Sequence, residues 1–276
     1  MQGDKSTQRW IAALLVGFPL GLIGFSLIAW WRWQSSGEEV VSDPRFTLPI
    51  VQEDLATDLE KIRNFATPRY VGNPAAERGL SRMSSMIQGT LGLSNAGYRL
   101  DILPGLGGID GNWPIITARL GPKEGSVLWV ITGYDQPEAG GNDTSVAAVL
   151  AVAAAMNNDL PTKAVRFCFL PHANQAGPRR AEISERLLKQ VSTGDELLWI
   201  SDLSGNGLVL ESRSPDPPLL EWSMGRPGLR VTAESGMLPE GFTYGIKGEG
   251  STDGAPLERH TSATMTVAEV VRFLSK

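Results

Sequence analysis

The sequence predicts an α/β protein, a three-layer α/β/α sandwich around a mostly parallel mixed central sheet, preceded by one transmembrane helix. Three observations carry this. From Ser126 onward, apolar strands alternate with helices; those strands read as continuous apolar runs; and the N-terminus holds a long uncharged stretch. Continuous runs separated by helices mark strands buried on both faces of a parallel sheet, and a sheet of that kind needs helices on each side.

The N-terminal stretch comes first. Residues 10–31, "WIAALLVGFPLGLIGFSLIAWW", contain no charge over 22 residues, enough for a helix to cross a hydrocarbon core about 30 Å thick. The apolar part of a secretory signal is about 7 to 15 residues and leads to a small-residue cleavage site. This stretch is longer and ends in "WWRWQSS", so an uncleaved anchor fits better than a signal or a buried core helix. Trp10 at one end and Trp30, Trp31 and Trp33 at the other suit an interfacial aromatic belt. Lys5 and Arg9 precede the span and Arg32 follows it, a bias that places residues 1–9 in the cytoplasm and the rest of the chain outside it.

Residues 1–34 hold three of the 25 basic and one of the 30 acidic side chains, leaving 22 and 29, a net −7, for the remainder. An acidic domain argues against nucleic acid as a partner. Residues 32–50 are polar and proline-punctuated and read as a linker. The domain proper is expected over residues 51–276. Cys168, the only cysteine, lies within "AVRFCFL" and is expected to be buried.

Helical patterning begins in "QEDLATDLEKIRNFA" and returns in "NPAAERGLSRMSSMIQGTLGLSNAG", with Pro74 in the first turn and Gly97 at the end. "YRLDIL" and "PIITARL" read as strands. Then come the strand "VLWVIT", the helix "TSVAAVLAVAAAM", the strand "AVRFCFL", the helix "RRAEISERLLKQV" and the strand "ELLWISDL". The helix "TSVAAVLAVAAAM" is apolar nearly all round and belongs packed against the sheet.

Ligands of open α/β sheets sit outside the carboxyl ends of the strands. The loops there are "GYDQPEAGGND", "PHANQAGP" and "DLSGNG", with "GEGSTDGAPLERH" later. Each alone is ordinary turn composition. Their candidate pocket residues are Asp135, Asp143, His172, Asn174, Asp202 and Asp253. Asp143 and Thr144, just before an apolar helix, look like N-caps.

Together these loops resemble the M28 family of zinc aminopeptidases and their glutaminyl-cyclase-like relatives, from about Arg69 to the C-terminus. The resemblance implies a zinc-exopeptidase-like fold. In that family the first of these strands ends in His-x-Asp; here "TGYDQ" keeps Asp135 but has Gly133 at the histidine. The bridging aspartate falls on Gly140 or Gly141. The family's Glu-Glu pair, general base and ligand, falls on Ala173 and Asn174. "WISDLSG" keeps Asp202, whereas "STDGAPL" keeps Asp253 but has Gly254 at the last ligand histidine.

A catalytic zinc needs about three protein ligands beside its water, and loss of the general base alone costs about 10² to 10⁴ in rate. The expected catalytic residues, metal ligands and cofactor are therefore none. The resemblance implies a binding or complex-assembly module, a pseudoenzyme, partnered by the membrane and by a membrane protein complex or a peptide or amine ligand. The alternative is a divergent metallo-aminopeptidase or cyclase-like hydrolase with a rearranged zinc site drawing on Asp202, Asp135 and His172. A Ser251/His260/Asp triad has little support, because no GxSxG elbow is present.

Overall fold

The computed structural model describes residues 49–105, 113–138, 141, 143–175, 177–233, 238–250 and 256–276, together with Ser26. The expected span at 10–31, apart from Ser26, and nearly all of the expected linker lie outside the described residues. Among the described residues no helix is long and apolar enough to cross a membrane.

In chain order the elements are α1 (Gln52–Lys61), continued by one π-helical segment (Ile62–Ala66), α2 (Pro74–Leu91), β1 (Leu100–Leu103), β2 (Ile115–Leu120), β3 (Val127–Gly133), α3 (Asp143–Met156), β4 (Ala164–Leu170), α4 (Pro178–Leu188), β5 (Glu196–Ile200), β6 (Leu208–Ser212), α5 (Pro217–Met224), β7 (Leu229–Thr232), β8 (Tyr244–Gly248) and α6 (Leu257–Leu274). The strands form one mixed sheet in the order β1-β2-β4-β3-β5-β8-β6-β7. Its centre is parallel: β3 pairs parallel with β4 and β5, and β5 with β8. β1 and β2 add on antiparallel at one side, and β6 runs antiparallel to β8 at the other.

Every residue of β3 is buried, and its side chains divide by parity as a strand requires. Leu128 and Val130 join a core built with α1, α2, α3 and α6. Val127, Trp129 and Ile131 join a smaller core under α4, where Ile183 and Leu187 pack. Helices on both faces make the expected three layers. α3 is buried along nearly its whole length, from Ser145 through Val152 to Met156, with only its Ala151 and Ala154 side partly open. Small alanine side chains let it lie close to the sheet.

α2 ends at Leu91 with Gly92 as its cap, and Gly97, at φ 76°, belongs to the turn beyond. The sequence reading placed that end six residues late, because Gly92 and Gly97 both carry the glycine stop signal. Asn73 caps the start of α2 by accepting from the Ala75 and Ala76 amides. Residues 257–274, including His260, are helical throughout. Cys168 is buried in β4.

Candidate functional site

β3, β4 and β5 lie side by side and parallel, so the segments that follow Gly133, Leu170 and Ile200 emerge at the same edge. That edge is where an open α/β sheet places its ligand. The sheet brings Asp135, Asp143, His172, Asn174 and Asp202 to this region. Asp253 lies outside the described residues.

Asp135 is fully buried. One carboxylate oxygen accepts from the amides of Ala173 (2.9 Å) and Asn174 (3.2 Å) and from the Asn174 carboxamide (3.2 Å). The other accepts from the Asn174 and Gln175 amides at 3.0 and 3.2 Å. Asn174 Nδ2 also donates to the Asp135 carbonyl at 2.9 Å. Burial pushes the Asp135 carboxyl up to about 6, against the pull of these backbone donors. The carboxylate thus clasps the turn after β4 onto the end of β3.

Asn174 stands where the resemblance puts the second glutamate, and Gly133 where it puts a histidine. They touch. A Cβ built on Gly133 would lie 2.4 Å from Asn174 Nδ2, 2.8 Å from Ala173 Cβ and 3.0 Å from Asp135 Oδ1. His172 is 1% exposed, has a left-handed φ of 56°, and lies edge-on to Trp113 with ring centroids 5.4 Å apart. It is packed inside the protein, not displayed in a loop.

Asp143 is the first residue of α3. Its carboxylate pairs with Arg69 Nη1 at 2.8 Å and accepts from Gln136 Nε2 at 2.9 Å. Arg69 is completely buried and also donates through Nε to the Tyr134 carbonyl at 2.8 Å. Burial pulls the Arg69 pKa down, and Asp143 opposes that pull. The carboxylate of Asp143 therefore serves as the counter-ion that a buried guanidinium needs.

Thr144 is likewise engaged elsewhere: its hydroxyl donates to Asp202 Oδ1 at 2.6 Å and accepts from the Leu203 amide at 3.0 Å. Asp202 takes two further bonds from Ser204, at 3.0 Å from the amide and 2.6 Å from the hydroxyl. Its carboxylate is used within its own loop and against α3.

The donors present do not fit a catalytic zinc. Among the described residues no three His, Cys, Asp or Glu side chains converge as a metal site would need. Gly141, one of the two positions matched to the bridging aspartate, has φ 98°, a conformation suited to glycine.

Sequence reading missed Arg69, which has no motif around it and is significant only because it is buried beside Asp143. It weighed His260 only in the poorly supported Ser251/His260/Asp triad. That side chain is 4% exposed in α6, and neither ring nitrogen has a hydrogen-bond partner among the described residues. Burial lowers its pKa to about 4, with Asp202 opposing and Arg63 reinforcing the shift.

No protein-family model matches the chain. No curated protein matches it either. Solved structures do. LapA of Legionella pneumophila superposes with a TM-score of 0.56 at 10% identity, over 82% of this chain and 74% of that one. A leucine aminopeptidase precursor from Bacteroides thetaiotaomicron gives 0.57 at 12%, over 83% and 99%. A glutaminyl cyclase from the same organism, bound to N-acetylhistamine, gives 0.54 at 11%, over 82% and 99%. What this chain shares with the aminopeptidase and cyclase structures is the zinc-exopeptidase-like α/β fold, which here is a mixed eight-stranded sheet flanked by helices.

Proposed function

We propose that this chain is a membrane-anchored, non-catalytic module that uses an exopeptidase-type fold for binding or complex assembly. One observation carries the reading: at the carboxyl end of β3, Gly133, Asn174 and Asp135 fill one another's space and satisfy one another's hydrogen bonds. A metal with its water needs open carboxylates and imidazoles there. Asp143 and Asp202 are similarly engaged, by Arg69 and Thr144. The uncharged stretch at 10–31 supports attachment to a membrane, and the partner is a membrane protein complex or a peptide or amine ligand.

The test uses the full chain without a histidine tag, purified in detergent. Bound metals are measured by mass spectrometry, and aminoacyl and N-terminal glutaminyl substrates are assayed with added zinc, manganese or cobalt. The expected result is substoichiometric metal and no turnover above a denatured control. One or two tightly bound metals per chain, with hydrolysis abolished by Asp202→Ala, would replace this reading with its rival. That rival, a divergent peptidase-like or cyclase-like hydrolase, draws its support from the aminopeptidase and cyclase structures of the same fold.

A further inference from the structure

We infer that Gly133 and Asn174 are an obligate pair: the Asn174 carboxamide occupies the space a side chain at 133 would need, and in doing so latches the 171–175 turn over the end of β3. This builds on the non-catalytic reading but adds a separate claim, that the position is closed by occupancy and not only by the loss of ligand types.

The distances leave little room. A Cβ at 133 would stand 2.4 Å from Asn174 Nδ2, a separation real Cβ atoms do not show. A flexible amide could ordinarily swing aside. Here Nδ2 donates to both the Asp135 carbonyl (2.9 Å) and its carboxylate (3.2 Å), so swinging it breaks two half-buried bonds. The turn cannot easily retreat either. The Ala173, Asn174 and Gln175 amides converge on the same carboxylate, and the neighbouring His172 is wedged against Trp113. Gly133 is hydrogen-bonded into β3 beside Leu170 of β4, so the strand end is fixed as well. A side chain at 133 and the carboxamide at 174 therefore exclude one another.

A double-mutant cycle on the full chain in detergent tests this by equilibrium unfolding, with no reading of metal or turnover. The non-catalytic reading is tested separately, by metal content and turnover, so failure of the pairing and failure of that reading show in different measurements. Gly133→Ala is expected to lower the folding constant on the order of 30-fold, as overpacking does. In the Asn174→Ala background the same change should cost at least about threefold less, because the 2.4 Å clash is gone while the 2.8 Å approach to Ala173 Cβ remains. Equal cost in both backgrounds, within about twofold, overturns the pairing, as does a Gly133→Ala variant as stable as the parent.

Hydrogen exchange on Asn174→Ala alone gives a second readout where Gly133→Ala does not fold. The amides of residues 173–175 should exchange at least about tenfold faster than in the parent, while those of β3 stay protected. Unchanged exchange at 173–175 would mean that Asn174 latches nothing.

Discussion

Arg69 and Asp143, 74 positions apart in sequence, form a 2.8 Å ion pair in which the guanidinium is completely buried. The pair ties the segment after the π-helix to the first turn of α3. It stands at the same sheet edge as Asp135 and Asp202, so the carboxylates that catch the eye in the sequence are spent on holding loops together.

Removing the carboxylate should be costly. In Asp143→Asn the buried Arg69 loses its counter-charge, and breaking a buried pair from one side costs about 3–5 kcal/mol. Arg69→Met should cost less, because a similar volume is kept and the carboxylate left behind is partly exposed, keeps its bond from Gln136 and lies 3.9 Å from Arg63. Urea unfolding of the full chain in detergent ranks the two, and a milder effect for Asp143→Asn would contradict the assignment.

Asp135 makes stability rise towards acid. Its folded pKa of about 6 lies above the ordinary 3.8, so the folded state holds the proton more tightly than the unfolded chain. The resulting stabilisation is fully present below pH 3.8 and is lost as pH rises through 6, a span of about 3 kcal/mol. Unfolding free energies measured between about pH 4 and 7 should show this slope in the parent. They should show less of it in Asp135→Asn.

His260 contributes with the opposite sign. Its folded pKa of about 4 lies below the ordinary 6.5, so acid favours the unfolded chain. This contribution is present above pH 6.5 and disappears as pH falls through 4, by about 3 kcal/mol. Replacing the imidazole in His260→Phe should flatten the acid limb, and NMR titration of the imidazole should place its midpoint far below that of an exposed histidine. A midpoint near 6.5 would contradict the buried environment.

Thr144→Val keeps the shape of the side chain but removes the hydroxyl shared by Asp202 and the Leu203 amide. One buried amide is left without its acceptor, at a cost of about 1–3 kcal/mol. Thermal unfolding should show the loss, and Thr144→Ser should largely restore stability.

The sequence by itself determined the centre of the architecture, from β1 to β5, and left the elements after β5 unread. Local pattern is enough to mark β3, β4, β5 and α3, because strands buried on both faces and a helix under a sheet must be apolar along their whole length. The motif frame around Asp135 and Asp202 was legible too, as were the glycine and asparagine that interrupt it. Tertiary structure alone decided what those residues do. Nothing near Arg69 in sequence announces a buried arginine, and nothing in "TGYDQ" or "PHANQ" says that Gly133 leaves room for Asn174. Bonds between residues 39 or 74 positions apart depend on which strand lies beside which. Only the pairing of β3 with β4 sets the space between Gly133 and Asn174, and only the burial of Arg69 makes Asp143 its counter-ion.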